Sequence, residues 1–434
     1  MQKIKWIYLI FIIICYSNTN CQNLSTNTIT VDLSVKSKKK QSVAGFLHFN
    51  ELEQLQNNIS ILKPKYWRFG AKLKEHTPKR KIQVDLLLKK NIVPIIVLSD
   101  IYDEEHWYKE KGGWIRPSDN GKPFTQLVSS LYKELGNKVV FDVWNEPNSK
   151  EVWGGTREEF FKTFKVAHDA LRNSVDGKNA KITGPSISAY DKEYLLAFLD
   201  YCNKNNIQLD ILNWHDLGNQ QDAIRLKENI KEARELLKKY PKLGVKQIYI
   251  PEIVGLDEQF NPLTAFAYLN SLEESNAFGG CKACWDNPAN KGENSCWNNS
   301  MDGILNADGK PRASWWLYKY YAESLEKRLV SKTDSKEFIS NSYINKDNNF
   351  CLLMGNLSDK NYGTFKVFLK NIDDAKQFQN KSFKLYEITN KESAALEKPY
   401  LISQGKILLK NKSISLVLKN LKAKNLYYLV ISKN

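Results

Sequence analysis

Val139-Val140-Phe141-Asp142-Val143-Trp144-Asn145-Glu146-Pro147-Asn148 is the stretch from which the rest of this chain is best read. Its apolar, β-branched start predicts a buried strand, and Pro147, which has no N–H to give a ladder, ends it. Asn145 and Glu146 are therefore delivered where a buried strand opens. An amide beside a partly desolvated carboxyl at such a place is suited to holding a ligand and giving it a proton.

Outward from that strand, the chain from 41 to 326 alternates strand-like and helix-like segments with short joins, as repeated βα units do. The strands are expected at Val43–Phe49, Lys65–Phe69, Ile92–Ser99, Val139–Trp144, Lys181–Ser186, Leu209–Trp214, Lys246–Pro251 and Gly279–Trp285. Amphipathic stretches such as Arg157–Arg172 and Ala223–Lys239 fill the gaps, and Ala313–Leu325, with Trp315 and Trp316, closes the series. Eight units in a segment of this size predict an α/β fold, a (β/α)8 TIM barrel, whose chemistry sits at the C-terminal ends of the strands.

From 327 to 434 the pattern changes to short alternating runs: Phe350–Met354, Thr364–Leu369, Ser382–Ile388, Lys406–Leu409, Ile414–Leu418 and Tyr427–Ile431. Asn, Gly and Lys turns separate them, which predicts a small antiparallel β-sandwich. Within residues 22–40, the alternating Thr28–Val35 precedes the barrel with no helix after it, and is expected to join that sandwich. With no low-complexity linker, the two domains should pack together.

Lys3 and Lys5 precede the apolar run Ile7–Ile14, and polar residues follow from Ser17, so residues 1–21 have the layout of a secretory signal. The run is too short for a bilayer span, and no integral membrane span is expected. Neither Cys15 nor Cys21 has a convincing lipid-attachment context. The expected location is therefore outside the cytoplasm: periplasmic, extracellular or surface-associated. Removing Lys3 and Lys5 takes the formal charge from +16 to +14. The lysines are spread along the chain, so the charge reads as compositional, and no motif supports nucleic acid as a partner. Cys281, Cys284 and Cys296 lie close together, but no histidine lies near enough to complete a zinc site. In an exported chain a disulfide within this loop is expected, Cys284–Cys296 first, with Cys202 and Cys351 as buried thiols.

The seventh strand supplies a second carboxylate, Glu252, at its C-terminal end, across a barrel from the fourth. Other strand ends offer His48 and Asn50 (first), Arg68 (second), Asp100 (third), His215 with Asp216 (sixth) and Trp285 (eighth). Trp107, Trp114, Trp153 and Trp297 fall in loops above the barrel, where aromatics either stack on sugar faces or pack the loops. Arg68, Arg116 and Lys72 could take an anionic sugar, or be ordinary surface charge.

Trp144-Asn145-Glu146-Pro147, with a glutamate ending the seventh strand and a C-terminal sandwich, resembles clan A retaining glycoside hydrolases, above all family 39 with its β-xylosidases and α-L-iduronidases. The resemblance implies Glu146 as acid/base and Glu252 as nucleophile. It implies Arg68 holding the nucleophile ionised, Asn145 binding the hydroxyl beside the reacting carbon, and Trp285 under the sugar. His48, Asn50, Asp100 and His215 become sugar contacts, the substrate a polysaccharide or oligosaccharide, and neither metal nor cofactor is called for. A catalytically silent glycan-binding protein on the same scaffold is the alternative. Loss of one carboxylate would mark it, and both are present.

Overall fold

The computed structural model describes residues 27–34, 41–48, 52–70, 77–103, 114–117, 119–284, 299–373 and 375–433. The expected signal, Asn50, Lys72, Trp107, Trp285, Cys296 and Trp297 lie outside them.

After β1 (Asn27–Asp32), eight parallel strands run β2 (Ala44–Leu47), β3 (Tyr66–Phe69), β4 (Val93–Val97), β5 (Val140–Asp142), β6 (Lys181–Ile187), β7 (Ile211–Trp214), β8 (Gln247–Ile253) and β9 (Gly279–Lys282). Each pairs with its neighbour in chain order, and β9 closes on β2 through Ala44–Gly280, Gly45–Cys281 and Phe46–Lys282. The fold is thus a closed (β/α)8 barrel. Around it lie α1 (Gln56–Leu62), α2 (Thr77–Lys89), α3 (Leu98–Tyr102), α4 (Lys122–Leu135), α5 (Arg157–Arg172), α6 (Lys192–Lys204), α7 (Gln220–Leu237), α8 (Pro262–Glu274) and α9 (Ala313–Ser324). Side chains N-cap several of them. Thr156 and Glu159 form a reciprocal capping box on α5, and Asn219 and Asp222 do so on α7.

Strand parity divides the barrel. Leu47, Tyr66, Ile95, Val140, Ile211, Tyr249 and Cys281 fill its interior, while alternate residues such as Phe46, Trp67, Ile96 and Phe141 pack outward under the helices. Two strands break parity near the mouth. The register shifts in β6 between Pro185 and Ile187, and in β8 between Ile250 and Ile253. Ile248 and Ile250 face outward, so by simple alternation Glu252 would follow them into the helix layer; the bulge turns it into the mouth.

The sandwich comprises β10 (Lys327–Thr333), β11 (Phe338–Ile344), β12 (Phe350–Asn356), β13 (Tyr362–Lys370), β14 (Lys381–Ile388), β15 (Tyr400–Lys406), β16 (Leu409–Lys410), β17 (Ser413–Leu421) and β18 (Leu426–Lys433). It curls around its own core of Ile29, Val31, Phe350, Leu352, Phe365, Val367, Leu416 and Leu429. β1 lies inside this sheet, antiparallel to β10 and parallel to β13. The expected strand Lys406–Leu409 is instead the joint between β15 and β16, and β10, β11 and β15 are additional strands.

The domains meet along α8 and α9. Glu273 accepts from Tyr321 Oη (2.7 Å) and Tyr343 Oη (3.1 Å) and pairs with Arg328 Nε (3.0 Å). Trp315 donates to Asn58 Oδ1, whereas Trp316 donates to Leu396 O across the seam. Among the described residues, no helix is long and apolar enough to cross a membrane.

Candidate active site

Glu146 follows β5, Glu252 lies on β8 and His215 follows β7. One carboxylate oxygen of each glutamate and a ring nitrogen of His215 all lie within 4.8 Å of one another. His215 is wholly buried, with Nδ1 2.9 Å from Glu146 Oε1 and 3.7 Å from Glu252 Oε2. The glutamate side chains remain partly open, at 21 % and 13 % exposure. Glu146 has positive φ (44°), a backbone cost on the order of 1–3 kcal/mol for a residue of this kind. Glu146 N→Ser186 O (2.9 Å) and Asn145 N→Ser99 Oγ (3.0 Å) hold the strained turn.

Arg68, almost wholly buried at the end of β3, ties three elements together. Its Nη1 donates to Glu252 Oε1 (2.8 Å), Nη2 to Asn145 Oδ1 (2.9 Å) and Nε to Asp142 Oδ2 (2.8 Å). Asp142 Oδ1 in turn accepts from Ser186 Oγ (2.6 Å), which accepts from Asn213 Nδ2 (2.6 Å). The parity break in β6, at Ser186, is what points its hydroxyl inward. Burial works against the guanidinium charge, but Asp142, Glu252 and Asp100 together hold Arg68 more firmly protonated than usual. Since Asn145 spends its carbonyl oxygen on Arg68, its amide protons face the mouth.

Burial pushes the Glu146 carboxyl up, but the hydrogen bond and charge of His215, helped by Arg68, outweigh it and hold the pKa below the ordinary value. At Asp100 burial dominates and lifts the pKa to about 7, against the opposing pull of Arg68. Gly70 is obligatory beside it: a Cβ there would lie 2.1 Å from the Asp100 Cβ. His48, at the end of the first barrel strand, sets Nδ1 3.0 Å from Asp302 Oδ1 and keeps 28 % of its side chain exposed.

The structure therefore gathers Glu146, Glu252, Asn145, Arg68, His215, His48 and Asp100 at one end of the barrel. Of the loop tryptophans, Trp153 packs edge-on to Trp144 (5.1 Å) and Trp114 lies tilted beside it (6.2 Å), so both are loop packing. Arg116 is engaged by Glu159 (3.1 Å) and lies over Trp153. Cys281 is a free buried thiol hydrogen-bonded to Tyr249, whereas Cys284 is disulfide-bonded, so the C-x2-C pair is not a metal pair; its bonding partner lies outside the described residues. Sequence reading missed Asp142, Ser186, Asn213 and Asp302. Asp142 and Asn213 left a signal: each shares inward parity with an interior apolar residue of its strand, Val140 and Ile211, where a buried polar group must have a partner.

Comparison with known proteins agrees. A model of "Glycosyl hydrolases family 39" matches residues 124–254, spanning both glutamates. A β-xylosidase of Caldicellulosiruptor saccharolyticus is 26% identical over 340 residues, covering 68% of this chain and 67% of that one. The structure of N2152 from Neocallimastix frontalis superposes with TM-score 0.75 at 20% identity, over 94% of this chain and 100% of that one. A family 39 β-xylosidase from Caulobacter crescentus does so with TM-score 0.65 at 15% identity, again over 94% and 100%. The chain is a glycoside hydrolase of clan A, acting on O-glycosyl bonds. Within the clan it is family 39-like.

Proposed function

We propose that the chain is an exported, retaining exo- or endo-acting hydrolase of neutral, xylose-type glycans, working by double displacement. One observation carries the mechanism: a carboxylate oxygen of Glu146 and one of Glu252 lie within 4.8 Å of each other, close to the roughly 5 Å of retaining rather than inverting pairs. Glu146 gives its proton to the glycosidic oxygen while Glu252 attacks the anomeric carbon. The C–O bond to the leaving group breaks as the Glu252 ester forms. Water, deprotonated by Glu146, then displaces Glu252 and releases the sugar with its original anomeric configuration.

The supporting residues have distinct tasks. Arg68 ties Glu252 to Asn145, and Asn145 donates to the hydroxyl beside the reacting carbon. His215 holds Glu146 from below. The neutral-sugar reading is supported by the buried Arg68, whose Nε, Nη1 and Nη2 each already donate to a protein partner, leaving it little to give a sugar carboxylate or sulfate. The pentose is suggested by the β-xylosidases to which the chain is similar. Export rests on the N-terminal sequence pattern.

A 2-deoxy-2-fluoro xyloside with an activated leaving group tests the reading. Expected is one covalent sugar per chain on the peptide carrying Glu252, with matching loss of activity. A label on any other carboxylate would displace Glu252 from the mechanism, and an inverted product anomer would reject double displacement.

A further inference from the structure

Beside the mouth, the segment Asn299–Gly303 takes a backbone few side chains favour. Asn299, Met301 and Asp302 have φ of 35°, 45° and 56°, and Gly303 follows at 78°. Such a run of left-handed residues persists only where its surroundings over-determine it. Two wholly buried cations do so here. Lys282, the last residue of β9, donates to Asp302 O (2.8 Å) and Ala283 O (3.0 Å). Arg312 donates Nη1 to Gly303 O (2.9 Å) and Nε to Ser393 O of the sandwich (2.7 Å), and lies 4.6 Å over the Phe260 ring. Asp302 N adds a bond to Ser300 Oγ (2.8 Å).

The held turn presents one group, the Asp302 carboxylate. Its Oδ2 accepts from Leu47 N, and its Oδ1 meets His48 Nδ1. His48 is itself left-handed (φ 64°), and the Asp302 carboxylate is hydrogen-bonded to its ring. Desolvation makes buried cations a costly filling for a loop foot, and burial pushes Lys282 down to about 7. Apolar side chains of the same size would pack more cheaply but could not bind carbonyls. Their use here is conformational.

We propose that Lys282 and Arg312 are positioning residues for sugar binding. They lock the strained turn so that Asp302 fixes the tautomer and tilt of the His48 imidazole at the rim, and through Ser393 the sandwich helps to set that geometry. The proposal rests on the hydrolase reading above and extends it to residues that touch no sugar.

A mutant cycle tests it, using the full chain and whichever aryl glycoside the wild type turns over best. Arg312→Met is expected to raise KM about tenfold, the loss of roughly one charge-assisted hydrogen bond, with kcat within about threefold. Arg312→Lys should recover part of this, because an ammonium reaches one of the two carbonyls. In a His48→Ala background, Arg312→Met should raise KM no further. Equal multiplication of KM with and without His48, or an effect on kcat alone, overturns the proposal. Should Arg312→Met fail to fold, Lys282→Met and Arg312→Lys complete the same cycle. A wild type inactive on every glycoside would sink the hydrolase reading and this proposal together, whereas an active wild type with multiplicative variants sinks only the proposal.

Discussion

Two buried clusters in this molecule join a carboxylate to an arginine, and only one of them is built for chemistry. At the seam, the wholly buried side chain of Glu273 receives Arg328, Tyr321 and Tyr343 together, joining α8 and α9 to β10 and β11. At the mouth, among the described residues, Glu252 receives Arg68 on one oxygen and has only a distant His215 Nδ1 on the other, while Glu146 sits on a strained backbone. Both clusters neutralise charge. The seam saturates its carboxylate and closes it from water, whereas the mouth leaves acceptor capacity open and holds two carboxylates close enough to share one ligand. Charge alone would not tell them apart; residual exposure, strain and incomplete pairing do.

The contrast is broken most forcefully by removing the open carboxylates. Glu252→Gln is expected to lower kcat on an aryl glycoside about 10^4-fold, with Tm nearly unchanged because Gln still accepts from Arg68. Glu146→Gln should cost about 10^2- to 10^4-fold, more for poor leaving groups than for activated ones. Steady-state kinetics beside thermal melts read both. A large fall in Tm would mean that the mouth, too, is mainly structural.

Glu273→Ala makes the opposite prediction. Stranding Arg328 beside two buried hydroxyls should destabilise by about 3–5 kcal/mol, measured by denaturant unfolding, while kcat per folded molecule stays near wild type. Loss of turnover without loss of stability would remove the distinction.

His215 sharpens the comparison through pH. Its hydrogen bond holds the Glu146 pKa low, so the alkaline limb of kcat/KM, where the acid loses its proton, should lie at acidic pH. In His215→Phe only the charge of Arg68 is left to oppose burial, and that limb should move to higher pH. A limb that stays or moves down would assign it to another group. The smallest effect concerns Asp216, which burial lifts to about 6 although Tyr268 bonds it. Because its folded pKa is raised, its ionisation disfavours the fold, and stability falls as pH rises from about 4 through about 6. Asp216→Asn should therefore raise Tm slightly at pH 8 and leave it unchanged at pH 4.

The barrel was legible because strands buried on both faces read as unbroken apolar runs, as in Val93-Pro94-Ile95-Ile96-Val97. β10 and β15 were not, because side chains such as Lys327, Val330, Tyr400 and Leu401 meet water and the apolar alternation dissolves. In the site, residues at strand ends could be placed from strand counting. Asp302 could not, since it lies in a turn held by side-chain bonds from Lys282 and Arg312 to its backbone carbonyls, which strand counting does not reveal. Nor could the bulge in β8, which turns Glu252 inward: Pro251 marks where the ladder fails but not which way the next side chain points.

The placement of β1 has a consequence for biogenesis. As a ribosome releases the chain, this strand emerges long before either neighbour, β10 or β13, exists. It must wait, unzipped, through synthesis of the whole barrel, and is captured only when the tail arrives. The sandwich is therefore no detachable cassette that can be grafted or trimmed at residue 327: cutting there would strip two flanks from the first strand and leave its own edges raw.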